Sequence, residues 1–411
     1  MMVFRDYDPA RDREAVKRIW YECGWIGRDK DESLSLSIQA GRALVAEMNG
    51  EAECLVLSAP GTIRYLDEDL PFACVTGVTT SHIARKQGFP KRLVAAALAA
   101  DVVEHGALVA GLGMFEQGFY NQLGFGSGVY EHWLSFDPSC LRVDATARVP
   151  RRIAPGDWAV AHAARVARRR GHGGCNLTPA EMTRVDMLDE DKGFGLGYND
   201  GPDGELSHYL WFSAKNMDSG PYSVKWCVFR SREQFLELMA LVKSLGDQVR
   251  LVEMHEPAGI QLQDLLEKPF KHRSVSRSAR FESAARSEAY WQMRICDLPG
   301  CMAKTRLRCD ALRFNLSLSD PIERYLAADS AWGGSGGDLI VSLASACSAQ
   351  KGRDPSLPTL TATIPSFTRL WLGVRPATGL AITDDLSGPQ DLLEQLDWAF
   401  RLPEPKPDWD F

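Results

Sequence analysis

The chain has 411 residues, with 47 Lys and Arg against 54 Asp and Glu, a formal net charge of -7. At about 150 residues per domain this length predicts roughly three domains, because one hydrophobic core seldom grows past about 250–300 residues. Hydrophobic residues at 45% and charged residues at 25% exclude a mainly disordered, collagen-like or coiled-coil chain. No apolar run reaches the ~18 residues of a membrane span, and the acidic balance opposes bulk nucleic-acid binding. Ten cysteines are too sparse for a disulfide scaffold, and no C-x-x-C pair offers zinc ligands or a redox motif. Met1 to Asp6 run straight into charge without a signal-peptide pattern, so the cysteines read as buried thiols in a reducing cytoplasm.

Residues 1 to about 145 alternate clear signals. Val3 to Arg5 predict a short strand. Asp8-Pro9 then supplies an N-cap and a proline at the first helical position, with Ala15, Val16, Ile19 and Trp20 at helical spacing. Leu44 to Met48 and Cys54 to Leu57 flank Asn49-Gly50, a hairpin signal. Phe72 to Thr80 is a strand rich in β-branched residues. Leu93 to Val102 carry a helical pattern, and Ala107 to Leu112 predict another strand. The order is β-α-α-β-β-β-α-β.

Residues from about 146 to 285 repeat a weaker version of this plan. Asp157 to Arg170 predict a helix, in which Arg165, Arg168, Arg169 and Arg170 form a solvated cationic end. His172-Gly173-Gly174-Cys175 predict a turn. Leu206 to Phe212, Val224 to Phe229 and Val249 to Met254 predict strands, and Ser231 with Gln234 caps the apolar helix Phe235 to Leu245. Ser274 to Arg286 predict a linker or an exposed edge. After residue 286 strands dominate: Trp291 to Cys296, Ala303 to Cys309, Leu312 to Leu318, Asp338 to Ala344 and Thr359 to Ile364. Helices follow at Ser366 to Leu372 and Asp391 to Phe400, which is an α+β pattern. Gly333 to Gly337 match G-x-S-x-G, but Ala328 to Trp332 are not a strand, so a flexible loop is expected rather than a nucleophile elbow.

The strongest chemical signal lies between Cys74 and Leu93. A strand leads through a basic loop with one glycine into a helix, whose free N–H groups suit a phosphate. Arg85, Lys86, Lys91 and Arg92 crowd that start, where each cation costs about 0.3–1 kcal/mol unless an anion offsets it. A pyrophosphate would do so; an ordinary exposed loop is the other reading.

Arg85-Lys86-Gln87-Gly88-Phe89-Pro90 resembles the R/Q-x-x-G-x-G/A acetyl-CoA loop of the GNAT superfamily of N-acetyltransferases, with Pro90 in place of the last small residue. Phe119-Tyr120-Asn121-Gln122-Leu123-Gly124-Phe125-Gly126 resembles the same family's Y-x-x-x-G-F segment, whose tyrosine lies near the thioester sulfur. Arg294 to Ala303 resemble the opening of a sterol-carrier-protein-like domain, which follows two GNAT-type units in the enhanced intracellular survival family. The resemblance implies an α/β and α+β fold of two tandem GNAT-type domains followed by a sterol-carrier-protein-like α+β domain. It divides the chain into a catalytic acetyl-CoA-binding domain (1–145), a degenerate GNAT-like domain (146–285) and a sterol-carrier-protein-like domain (286–411).

Carried over by position, Val78, Thr79 and Thr80 offer strand backbone to the pantetheine arm. Lys86, Gln87, Gly88, Phe89, Pro90 and Lys91 hold the pyrophosphate, and Phe115 and Glu116 border the cofactor. Tyr120 is the general acid. Chains of this family often end in a functional phenylalanine carboxylate, and here Phe411 follows Trp409-Asp410, which makes its carboxylate the general base. A distant base suits the sequence, because Phe72 to Thr80 contain no Asp, Glu or His. His82, in the loop, is the weaker candidate. The implied activity is acetyl transfer from acetyl-CoA, without a metal, to the primary amine of a cationic small molecule or to a lysine. The alternative is a lipid- or sterol-like ligand carrier with a vestigial acetyltransferase domain. The resemblance further implies a cytoplasmic homo-oligomer, a hexamer in the family, with neither nucleic acid nor membrane as partner.

Overall fold

The computed structural model describes residues 3–27 and 31–410. The chain forms two compact units, one built from Met1–Val129, Gly171–Pro179 and Ala289–Phe411, the other from Tyr130–Arg170 and Ala180–Glu288.

In the first unit the elements follow the order β1 (Val3–Asp6), α1 (Pro9–Cys23), α2 (Asp31–Gln39), β2 (Arg42–Met48), β3 (Glu51–Tyr65), β4 (Glu68–Thr80), α3 (Phe89–His105), β5 (Val109–Gly113), α4 (Gln117–Asn121) and β6 (Gly126–Ser127). Local chemistry accounts for the boundaries. Asp8 caps α1 by accepting from the Ala10 N–H, Pro9 opens the first turn, and Gly24 closes it in the left-handed conformation. Asn49 (φ 55°) and Gly50 (φ 90°) both adopt the left-handed geometry that a two-residue hairpin between β2 and β3 demands. Along α3, Phe89, Leu93, Val94, Ala97 and Leu98 are buried in one cluster with Ala73, Val75, Ala110 and Leu112 of the sheet.

The sheet runs β1-β2-β3-β4-β5, then the strand Trp291–Ile295, then β6. The short strand Cys175–Leu177 pairs with β3 over Gly61–Ile63. The same unit holds a second sheet in the order Ser348–Lys351, Gly337–Leu343, Leu312–Ser319, Thr359–Thr363 and Leu386–Ser387. Helix Ile364–Trp371 joins the two sheets, since the Thr368 hydroxyl accepts from the Ile295 N–H at 3.0 Å. The second unit is a sheet ordered Ala284–Glu288, Glu131–Phe136, Val252–His255, Tyr222–Val228, His208–Ala214, Gly193–Tyr198 and Arg151–Ile153.

Several expectations change. Glu131–Phe136 and Trp291–Ile295 pair in sheets other than those of their neighbours in sequence, so the compact units cut the chain differently from divisions at 145 and 285. Ala303 to Cys309 are not a strand. Asp297 caps a helix, Leu298–Lys304, by accepting from the Gly300 N–H, and Pro299 sits in its first turn. The cationic end after residue 164 is solvated only at Arg169 and in part at Arg170, while Arg165 and Arg168 are buried. Arg165 is buried, pairs with Asp186 at 2.8 Å and lies 4.2 Å from the Trp226 ring centroid. The turn expected at His172 to Cys175 is present, but it is buried and leads into a strand of the first sheet. β4 begins before Phe72, at Glu68. All ten cysteines are free thiols. No helix among the described residues is long and apolar enough to cross a membrane.

Candidate active site

β4 and β5 are parallel, yet they pair only where Phe72–Cys74 face Val109–Gly111. Beyond Cys74 the two strands separate, while β4 continues to Thr80 and β5 to Gly113. A bulge in β4 accompanies the separation. Leu55 faces Thr79 but Leu57 faces Thr76, so β4 carries one residue more than β3 at this point. Gly77 takes the extra residue at φ 60°, and a Cβ there would lie 2.7 Å from the Leu57 side chain. Past the bulge, no strand among the described residues pairs with the β5-facing edge of Val78 to Thr80. A strand edge of this kind offers alternating donors and acceptors to an extended amide chain.

The loop after β4 is tethered at its start, where the Ser81 N–H donates to the Glu53 carbonyl at 2.9 Å. Arg85, Lys86, Gln87 and Gly88 then stand exposed. Lys86 (φ 63°) and Gly88 (φ 79°) are both left-handed, and Gly88 is the N-cap of α3 without any side-chain cap. The first N–H groups of α3, at Phe89 and Lys91, therefore remain for an outside acceptor; Pro90 has none to give. A Cβ on Gly88 would meet nothing within 4 Å, so the space over this helix start is open. Arg85 and Lys86 make no ion pair among the described residues, which leaves the positive end of α3 uncompensated. Phe89 is buried and can contribute only its backbone. The Lys91 ammonium turns to α4, where it bonds Gln122 and lies 5.3 and 5.5 Å from the rings of Phe119 and Tyr325.

Tyr120 sits on the short α4 and is 7% exposed, in the same cluster as Ala73, Val75 and Phe89. Its ring meets Phe119 and Phe125 edge-on at 4.9 and 6.2 Å. Burial pushes its phenol up to about 12. The hydroxyl makes no hydrogen bond among the described residues, so it is a protonated donor without a partner. Glu116 caps α4, its Oε1 accepting from the Gly118 N–H at 2.9 Å, and so fixes the turn that carries Tyr120. Phe115 is 84% exposed and lies 6.0 Å from Trp25, which in turn meets Trp20 at 5.5 Å.

Two supports of this site escaped the sequence reading. Gln292, on Trp291–Ile295, donates to Asn121 Oδ1 at 3.0 Å and to Ser127 Oγ at 3.2 Å. Arg294 donates to the Leu123 carbonyl at 2.5 Å and pairs with Asp320 at 2.6 Å, both side chains being fully buried. Gly124 adopts φ 84° against that guanidinium, with a would-be Cβ 2.6 Å from Arg294 Nη1. The Arg294 segment thus buttresses the turn behind Tyr120. Thr80 is also held, its Oγ1 3.3 Å from Cys54 Sγ and its carbonyl accepting from Cys23 Sγ. The Thr79 hydroxyl is buried and donates to the Gly77 carbonyl. Val78 packs on the core beside them.

His82 is exposed, and its N–H donates to Glu22 Oε2 at 2.6 Å. Glu22, on α1, is the acid at the end of β4, and nothing in local sequence marks it. Phe411 lies outside the described residues, but Pro405, Lys406, Pro407 and Trp409 are buried. Ser335 donates to the Cys296 carbonyl at 2.7 Å and so is a structural hydroxyl, not a nucleophile. One group in the second unit, Asp200, His208 and Glu237, is close enough to hold a metal. Arg148 already bonds both of its carboxylates, at 2.5 and 2.7 Å, and the group forms an ion-pair network.

The model of the acetyltransferase (GNAT) domain family matches residues 8–128. Residues 8–128 are a GNAT acetyltransferase domain. Comparison with curated proteins finds no significant match. Among solved structures the whole chain is similar to a probable N-acyltransferase from Enterococcus faecalis V583, with a TM-score of 0.79 and 15% identity over all of both chains. It is similar to a GCN5-related N-acetyltransferase from Kribbella flavida, with a TM-score of 0.76 and 18% identity over all of this chain and 98% of that one. It is similar to Eis1 from Mycobacterium abscessus, with a TM-score of 0.75 and 16% identity over all of both. These likenesses establish the fold: tandem GNAT-type domains with a further α+β part behind the GNAT acetyltransferase domain.

Proposed function

We propose that the protein transfers acetyl from acetyl-CoA to the primary amine of a cationic small molecule, with an exposed lysine as the other acceptor class. The observation that carries this reading is the separation of β4 from β5 beside a cationic, glycine-capped helix start and an unpartnered, protonated Tyr120. The backbone of Val78 to Thr80 pairs with the pantetheine amides. Lys86, Gln87, Gly88 and the Phe89 and Lys91 N–H groups hold the pyrophosphate, and Phe115 borders the cofactor. Pro90 fixes the first turn of α3, and Glu116 supports α4.

The acceptor nitrogen, once neutral, attacks the thioester carbonyl carbon. The N–C bond forms, the C–S bond breaks, and the nitrogen loses a proton to a base. Tyr120 donates to the leaving thiolate. Burial raises the Tyr120 phenol to about 12, so the hydroxyl carries its proton when the thiolate leaves. The carboxylate of Phe411 takes the amine proton. An α-carboxylate of pKa ~3.5 is a weak base for an ammonium, so it depends on position and desolvation. The third part, from residue 286, is read as sterol-carrier-protein-like in fold and as a bearer of the chain end. The assembly is read as a cytoplasmic homo-oligomer.

Thiol release from acetyl-CoA, measured across a panel of polyamines, aminoglycosides and lysine peptides, tests this function. The expected result is release that depends on a primary amine. No turnover with any amine, together with a lipid that co-purifies with the protein, would favour an apolar-ligand carrier instead.

A further inference from the structure

The end of this chain is gripped by a segment from its middle. Gly171–Pro179 belongs to the first unit, although the chain on both sides of it belongs to the second. Its strand lies so close to β3 that a Cβ on Gly61 would fall 2.2 Å from the Asn176 carbonyl oxygen. Arg64 bonds the turn through both backbone groups. Its N–H donates to the Gly174 carbonyl at 2.9 Å, and its carbonyl accepts from the Gly173 N–H at 2.7 Å.

The tail lies against this turn. The Lys406 N–H donates to the His172 carbonyl at 2.9 Å, and the Cys175 N–H donates to the Pro407 carbonyl at 2.7 Å. Between them Gly173 leaves no room for a side chain: a Cβ would stand 2.7 Å from Pro405 and 2.8 Å from the Lys406 nitrogen, at a φ of +80°. His172 fastens the turn from beneath. Its Nδ1 accepts from the Leu66 N–H at 3.1 Å, which leaves the proton on Nε2 to donate to the Leu372 carbonyl at 3.0 Å. The ring stands edge-on to Tyr65, which stacks on Trp371 at 4.3 Å and donates to its carbonyl. Beyond the grip, Trp409 is 2% exposed. Chain ends ordinarily fray; this one carries four buried residues at 405–407 and 409.

We infer that the turn His172–Cys175 is a positioning element for the chain end, with Gly173 admitting the tail and His172 fixing the turn to the sheet. The inference rests on the reading of the terminal carboxylate as general base. The strand holding the tail pairs with Gly61–Ile63 of β3, which face Phe72–Leu70, so the anchor lies in the same sheet at the start of β4, before the strands separate. A base displaced by ~1 Å can lose about 10²-fold in rate.

The test is Gly173→Val in the full chain, with the milder Gly173→Ala should the larger side chain prevent folding. Hydrogen exchange at the Lys406 and Cys175 amides, acetyl-CoA affinity and kcat are measured together. Deletion of Trp409 to Phe411 serves as the control. The expected result is faster exchange at both amides, unchanged acetyl-CoA affinity, and a kcat lowered about 10²-fold that added acetate partly restores. Unchanged exchange would overturn the inference. So would faster exchange with full kcat, if the deletion itself lowers kcat. Full kcat in the deletion variant would overturn the base reading instead.

Discussion

Asp320→Ala removes the counter-ion of the most deeply buried cation behind Tyr120. Arg294 and Asp320 meet at 2.6 Å with both side chains fully buried. The lone guanidinium would keep its bond to the Leu123 carbonyl and its place 5.2 Å from the Trp332 ring, but not its charge partner. Stranding one member of such a pair costs about 3–5 kcal/mol. Asp320 also accepts from the Ser335 N–H at 2.9 Å and the Ile322 N–H at 3.2 Å, and orphaned amides cost about 1–3 kcal/mol each where water cannot reach them. The expected loss is therefore at least about 3 kcal/mol, read from denaturant unfolding followed by tryptophan fluorescence. Without Asp320 the guanidinium is held on one side only, so the Leu123 turn behind Tyr120 loosens and kcat should fall as well. Replacing both partners, Arg294→Met with Asp320→Leu, should recover much of the stability, since neither charge is then buried. A loss below about 1 kcal/mol in Asp320→Ala would refute the premise that this pair is desolvated and holds the turn.

Three further outcomes are expected. Gly88→Glu places a carboxylate where the pyrophosphate should lie and forces a side chain into a left-handed residue, so calorimetry should show acetyl-CoA affinity falling strongly in a folded protein; unchanged affinity would remove the phosphate site. A few residues added after Phe411 should abolish acetyl transfer and spare acetyl-CoA binding, and a tagged enzyme with full kcat would send the search for the base to His82 and its partner Glu22. Burial holds His172 down to about 4 against an ordinary 6.5, with the bond to the Leu372 carbonyl opposing only in part. The unfolded chain therefore binds this proton first as pH falls. Stability should be full above pH ~6.5 and decline towards pH ~4, by roughly 3 kcal/mol, and a His172→Gln variant should lack that part of the acid limb.

The strand-loop-helix that ends β4 and opens α3 was legible because its signals are local. β-branched residues up to Thr80, cations in the loop and Gly88 before an apolar helix all fall within about twenty residues. The bulge was not legible, since Gly77 matters only through its closeness to Leu57 on another strand. The strand expected at Trp291 to Cys296 forms over Trp291–Ile295, but alternation does not name a partner, and it pairs with β5, far away in sequence. Arg294 was legible as part of a motif and not as the support of Leu123, which lies 171 residues away. Arg165 shows the converse error. A run of arginines reads as a solvated end, and only the fold brings Asp186 and Trp226 to it. Gly173 read as a turn residue for a sound local reason, while its need to be glycine comes from Pro405.

The central claim is that acetyl transfer occurs at the separated β4 and β5 with Tyr120 as the proton donor. Its most direct measurement is kcat and acetyl-CoA affinity for Tyr120→Phe beside the unmodified protein. The substitution keeps the ring that packs on Phe119 and Phe125 and removes only the unpartnered hydroxyl. The account predicts a kcat lower by roughly 10²–10⁴ with acetyl-CoA affinity little changed. A near-normal kcat would contradict it, because the thiolate would then leave unassisted or with a proton from another acid.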